Sequence, residues 1–199
     1  MKRLESLFCA FIIFVALYFV IGALKNNFYF GWDRTLFPNS NFEKGILESW
    51  MEEGVAFHDQ PTFGDNTYYR GRGVSNFRGN YWIGTYENRH SSKDPKGEIQ
   101  GDAPVGKLTS IPFIIERDRI CFLIGGGNNS AAAGVTLEVE GKRVLFEPGR
   151  GSLIDSERMS RVTWDVSRWK GKKARIVIED NSGEGWVHIN VDDFRYTIF

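Results

Sequence analysis

The stretch VTLEVEGKRVLF, residues 135–146, decides the fold. Val135–Val139 reads as a short strand, Glu140-Gly141 as a tight turn and Lys142–Phe146 as the returning strand, which together make a β-hairpin. Outward from it, further short apolar runs follow one another between turn residues. They are Ile111–Ile115, Arg119–Ile124, Arg161–Val166, Ala174–Glu179, Trp186–Asn190 and Asp193–Ile198, with turn signals at Lys170-Gly171-Lys172 and Asn181-Ser182-Gly183. No long segment repeats at the helical period. Eight short strands within about 160 residues predict an all-β sandwich or jelly roll. Tyr68–Pro104 is polar and rich in glycine and reads as long loops.

Composition agrees. Of 199 residues, 15% are aromatic and 22 are glycine, a balance that suits strands and turns better than packed helices. Lysine plus arginine and aspartate plus glutamate both number 25, so there is no basic excess to neutralise nucleic-acid phosphates. Two cysteines exclude a disulfide-dense scaffold and a four-cysteine zinc site. Cys9 falls in the apolar N-terminal run, and Cys121, within RICFLI, reads as a small buried hydrophobe.

That N-terminal run is LFCAFIIFVALYFVIGAL, residues 7–24, which holds 18 residues without a charge. At about 1.5 Å of rise per residue it nearly spans a hydrocarbon core of about 30 Å. It is longer than the apolar stretch of about 7 to 15 residues usual in a cleaved leader, so an uncleaved anchor is the better reading and a signal peptide the alternative. Lys2 and Arg3 place residues 1–6 in the cytoplasm and the rest of the chain outside. The predicted organisation is a cytoplasmic N-terminus (1–6), a transmembrane helix in the lipid bilayer (7–24), a juxtamembrane connector (25–35) and a periplasmic or extracellular β-sandwich (36–199). Without residues 1–24 the chain keeps 23 basic and 24 acidic side chains and has no global field to steer a charged partner.

Several phrases, in order, resemble one family. Asn41-Phe42-Glu43 with Gly45 and Trp50 is followed by Tyr81-Trp82-Ile83-Gly84-Thr85-Tyr86-Glu87, then by Phe122-Leu123-Ile124-Gly125-Gly126-Gly127, Trp164-Asp165-Val166-Ser167 and His188-Ile189-Asn190-Val191-Asp192-Asp193-Phe194. They resemble the galactose-binding-like jelly-roll domain that accompanies family 32 glycoside hydrolases, which cleave fructans, and the resemblance covers about residues 38–199. It implies a non-catalytic accessory module. It also implies a structural calcium held by Glu43 with Asp192 or Asp193. Adjacent acids on a regular strand point to opposite faces, so one of that pair is expected to meet Glu43 through its side chain.

The residues themselves offer one binding constellation. Tyr81, Trp82, Tyr86 and Glu87, with Arg70 and Arg89 nearby, could form a sugar platform in which rings stack on a sugar's apolar face and polar groups fix its hydroxyls. Trp50, Trp164 and Trp186 read as core residues. Gly125-Gly126-Gly127-Asn128-Asn129 lacks the spacing of a phosphate loop and reads as a bulge where another backbone comes close. His58, His90 and His188 fit no metal motif, and no serine sits in a nucleophile elbow. An anchored domain with no catalytic apparatus is therefore expected to be an accessory or docking subunit among other membrane protein subunits. The alternative is a membrane-tethered glycan-binding module.

Overall fold

The computed structural model describes residues 34–127, 132–149 and 157–197. The apolar run 7–24 and the first nine residues of the connector lie outside these residues. Among the described residues no helix is long and apolar enough to cross a membrane.

Among the described residues, twelve strands form two antiparallel sheets that face each other. They are β1 (Arg34–Thr35), β2 (Trp50–Gly54), β3 (Thr62–Phe63), β4 (Tyr81–Gly84), β5 (Gly106–Ser110), β6 (Phe113–Ile114), β7 (Arg119–Gly126), β8 (Ala133–Val139), β9 (Lys142–Pro148), β10 (Ser160–Asp165), β11 (Lys173–Asp180) and β12 (Ile189–Tyr196). A single α-helical turn, α1 (Asn66–Tyr69), lies between β3 and β4. One sheet runs β10-β7-β12-β4-β3 with β1 on β12, and the other runs β2-β5-β11-β8-β9 with β6 on β11.

The β8–β9 hairpin forms in the register its sequence predicts, with Val139 opposite Lys142. Glu140 and Gly141 both adopt positive φ, 52° and 78°, the geometry of a turn whose twist matches the flanking strands. The two sheets enclose an apolar core that includes Phe42, Trp50, Phe122, Leu137, Trp164, Ile176 and Phe194. Rings interlock there. Phe42 stacks on Trp50 at 5.1 Å, and Phe122 lies 5.0 Å from Phe194 and 4.7 Å from Trp164. Cys121 is fully buried as expected, and its sulfur accepts a hydrogen bond from Arg161 Nη1 at 3.0 Å.

The structure departs from the sequence reading in three places. The segment read as long loops contains β4 and the end of α1, and β2, β3 and β5 were not anticipated. Ile111–Ile115 is not one strand, because β5 ends at Ser110 and only Phe113–Ile114 pairs beyond it, on β11. Trp186–Val187 belongs to a loop, and the last strand runs without a break from Ile189 to Tyr196. In addition, Arg34 and Thr35 pair with Tyr196 and Arg195, so the folded body starts two residues inside the predicted connector.

A small second cluster lies on the outer face of the first sheet. Trp82, Leu123 and Met159 bury one another beneath the loop that follows α1, with Phe77 packed on them. Trp82 is 0% exposed, and its indole N–H donates to the Gly64 carbonyl at 2.8 Å. It is thus a pillar under the 64–79 loop and cannot stack on a ligand, contrary to the platform expected from sequence. Trp82→Ala should lower stability by about 3–5 kcal/mol through lost burial and a cavity. Urea denaturation of the full chain checks this, and a loss below about 1 kcal/mol would contradict the packing.

Candidate binding site at the loop end

Five segments converge at one end of the sandwich. Arg70 follows α1, Glu87 follows β4, Asp102 precedes β5, Glu157 precedes β10 and His188 leads into β12. Their side chains form a chain of alternating charge. Arg70 makes a two-pronged contact with Glu87, Nη2 to Oε1 and Nε to Oε2, the latter at 3.2 Å. Its Nη2 also reaches Glu157 Oε1 at 2.9 Å. His188 Nε2 lies 3.2 Å from Glu157 Oε2, and its Nδ1 lies 3.0 Å from Asp102 Oδ1. With a carboxylate at each ring nitrogen, both nitrogens must donate, which makes the ring an imidazolium.

Neutral hydrogen bonds hold this chain in place. Asn66 Nδ2 donates to Glu87 Oε2 at 2.6 Å and to the Glu98 carbonyl at 2.8 Å, while its Oδ1 accepts from Gly97 N at 2.8 Å. One amide thereby ties α1 to the loop that follows β4. Asn190 Nδ2 donates to the Glu157 carbonyl at 3.0 Å and to its Oε2 at 3.1 Å. Beneath them, Thr85 Oγ1 donates to Asp180 Oδ2 at 2.5 Å and accepts from Ile189 N at 3.0 Å.

The ionisation follows from these contacts. Burial opposes the charged forms of both His188 and Glu157. For His188 the hydrogen bonds to Asp102 and Glu157 overcome it and raise the imidazole to about 9. For Glu157 the His188 hydrogen bond and charge, then Arg70, hold the carboxyl down at about 2. Burial dominates at Glu87 and pushes it up despite Arg70. Burial also pushes Asp180 up to about 7, against the Thr85 hydroxyl and the His188 charge.

The surface over this network is aromatic. Tyr86 lies under the Arg70 guanidinium, 4.6 Å from ring centre to Cζ, and its ring is 5.2 Å from that of His188. Trp186 is 53% exposed, its ring is 6.2 Å from His188, and the Arg72 guanidinium lies 5.0 Å over it. Its backbone has φ of 67°, a left-handed conformation that a bulky residue rarely adopts. Two contacts hold it there. Trp186 N donates to Asp102 Oδ2 at 3.3 Å, and the Trp186 carbonyl lies so close to Gly127 that a Cβ there would collide with it. The glycine run therefore serves close backbone approach, as its sequence implied, and what approaches is the Trp186–His188 segment.

Of the residues expected to form the sugar platform, Arg70, Tyr86 and Glu87 come together here. Tyr81 does not; it packs on Phe63 at 5.3 Å and supports the core. Arg89 is buried and donates to the Phe63 carbonyl at 2.8 Å. The expectation that Trp186 is a core residue fails outright, whereas Trp50 and Trp164 are buried. Arg72, Asp102, Glu157 and His188 were not anticipated as site residues. One signal was present: Trp186 directly follows Gly183-Glu184-Gly185, turn composition rather than an alternating strand, and so had no apolar row to join.

The expected calcium ligands form a separate polar junction. Glu43 accepts from the backbone N–H of Asn80 at 2.9 Å and of Tyr81 at 3.1 Å. Asp192 Oδ2 accepts from Arg78 N at 2.7 Å, and its Oδ1 is buried without a partner. Burial, then the charges of Asp193 and Glu43, push the Asp192 carboxyl well up. Asp193 meets Arg195, Arg78 and Arg161. Among the described residues no group of three or more acidic, histidine or cysteine side chains is arranged to hold a metal ion.

No family model matches the chain. A protein of Aspergillus rugulosus named "Putative glycosyl hydrolase ecdE" is 34% identical over 155 residues, which are 78% of this chain and 20% of that protein. The chain thus spans about a fifth of the length of the curated relative it matches. Among solved structures, TmCBM61 in complex with β-1,4-galactotriose superposes over 82% of this chain and 99% of its own, with 14% identity and a TM-score of 0.50. A family 35 carbohydrate-binding module from an environmental isolate covers 49% of this chain and 70% of its own, with 11% identity and a TM-score of 0.32. At such identities the likeness to TmCBM61 concerns the β-sandwich fold.

The buried charges make stability depend on pH. Asp180 binds its proton more tightly when folded, so its contribution is complete below about 3.8 and is lost as pH rises towards 7. Glu87 and Asp192 act in the same direction. His188 adds a loss between about 6.5 and 9. Asp180→Asn, whose amide oxygen can still accept from Thr85, should remove its share of the decline and raise stability at about pH 8 by up to a few kcal/mol. Chemical denaturation between about pH 4 and 9 reads this. An Asp180→Asn profile that superposes on wild type would show that Asp180 titrates normally.

Proposed function

We propose that the β-sandwich is a non-catalytic carbohydrate-binding module whose binding surface is formed by Trp186, Tyr86 and Arg72 over the Arg70–Glu87–Glu157–His188–Asp102 network. One observation carries this reading. An exposed tryptophan is held in a strained backbone conformation by a buried network built from five segments, an arrangement that core packing alone does not require. A flat aromatic surface with a few fixed polar groups is what sugar rings need, because their C–H faces stack and their hydroxyls pair. The carboxylates beneath are engaged by their own cations, which supports binding rather than hydrolysis. The ligand named for TmCBM61 and the fructans implied by the sequence resemblance supply the first sugars to test.

We further propose that residues 7–24 tether this module to a membrane, with the sandwich on the far side. The role of accessory subunit in a larger assembly then becomes a question of partners, which co-purification from native membranes reads directly. Calorimetry of the full chain with galacto- and fructo-oligosaccharides tests the carbohydrate reading. Trp186→Ala should weaken binding roughly tenfold, about 1.4 kcal/mol, with stability little changed. Unchanged affinity in that variant would place the sugar elsewhere, and no binding to any glycan would sink the proposal.

A structural calcium at the Glu43–Asp192 junction is a separate proposal. The open Asp192 Oδ1 supports it, although the surrounding carboxylates already accept backbone and arginine donors. Millimolar calcium should then raise the melting temperature of the full chain, and Glu43→Gln should shrink the increase. The absence of any shift in wild type would argue that arginines alone serve this junction.

A further inference from the structure

The charges of the loop-end site sort by depth. Glu87 and Glu157 are buried, Asp102 is half-buried, and all three pair inward with Arg70 or His188. The groups facing solvent here are two cations over exposed rings, together with the exposed acids Glu98 and Glu184. Arg72 lies over Trp186, and Lys96 lies 4.7 Å over the exposed ring of Tyr69. Arg72 is placed by the backbone rather than by a partner acid. Its N–H donates to the Thr67 carbonyl at 3.0 Å, and Thr67 Oγ1 closes the loop on the Gly73 carbonyl at 2.9 Å. Gly71 and Gly73, on either side, have φ of 72° and 83°. Among the described residues no acid is paired with Arg72.

A guanidinium lying on an indole face keeps its N–H edge free, and that edge fits a planar carboxylate through two parallel hydrogen bonds. Exposed Glu184 lies on the Trp186 loop, and the chain carries no net charge, so selectivity for an anion must come from directed contact rather than from a general field. We propose that the ligand is a carboxylate-bearing sugar of the uronic-acid class, with its ring against Trp186 and Tyr86 and its carboxylate on Arg72. This rests on the carbohydrate reading above and adds the class of sugar, one that differs from the neutral galactotriose bound by TmCBM61.

Matched oligosaccharides that differ only in oxidation at C6 test it: galacturonate against galactose, glucuronate against glucose and mannuronate against mannose. Titration of the full chain at about 50 mM salt should show roughly tenfold tighter binding of at least one acid, with the advantage shrinking at about 500 mM. Arg72→Gln should bring the pair to parity, and Arg72→Lys, which keeps the charge without the fork, should fall between. If neutral sugars bind as well as their acids and the binding is lost in Trp186→Ala, the acid inference is overturned and the carbohydrate reading stands. An acid preference that survives in Arg72→Gln likewise overturns the role of Arg72. Binding of neither class overturns both.

Discussion

An ion withdrawn from water must meet its opposite, and that constraint organises the loop end of this sandwich. Glu87, Glu157 and His188 are nearly inaccessible to solvent, and each alone would be costly to bury. They are stable there because Arg70 and Asp102 complete an alternating series. The series spans residues 70 to 188, so it forms only when the sandwich has brought β4, β12 and the approach to β10 side by side. At this end the ion chain does the work that aromatic packing does between the sheets.

The consequence for the surface is preorganisation. Asp102 uses one oxygen on His188 and the other on the Trp186 N–H, so the residue that ends the ion chain also fixes the exposed indole. Gly127 lets the Trp186 carbonyl come against the end of β7, where any side chain would block it. Trp82, from below, supports the loop that carries Arg70 and Arg72. A ring held this way loses little freedom when a ligand covers it, and rigid aromatic surfaces gain affinity mainly by avoiding that loss.

Much of the fold was legible because strands announce themselves through local pattern. The β8–β9 hairpin, β7, β10 and β11 lie where alternating or continuous apolar runs end at turn residues. The strands that escaped notice, β2, β3 and β5, are short or carry exposed polar side chains, as in Trp50–Gly54, where only the tryptophan is buried. Arg70, Tyr86 and Glu87 were legible as a group because aromatic and charged residues crowd the Tyr81–Glu87 stretch, with Arg70 nearby. Glu157 and Asp102 were not, since a buried ion pair leaves no periodic trace and its partners stand tens of residues away.

The two clearest misreadings share one cause. Strand alternation predicts that Asp192 and Asp193 point to opposite faces, yet both carboxylates meet Arg78, one at its backbone N–H and the other at its guanidinium, where β12 bulges between Asp192 and Arg195 and Asp193 takes φ of 63°. Trp186, assigned to the core by its residue type, also stands at positive φ and faces solvent. In each case a residue other than glycine sits where side chains are rarely found, and in each case a cluster of buried polar groups holds it there. Rules drawn from residue type and period assume relaxed backbone, so they fail where tertiary contacts have overruled it. Those same positions are where this otherwise regular sandwich gathers its polar chemistry.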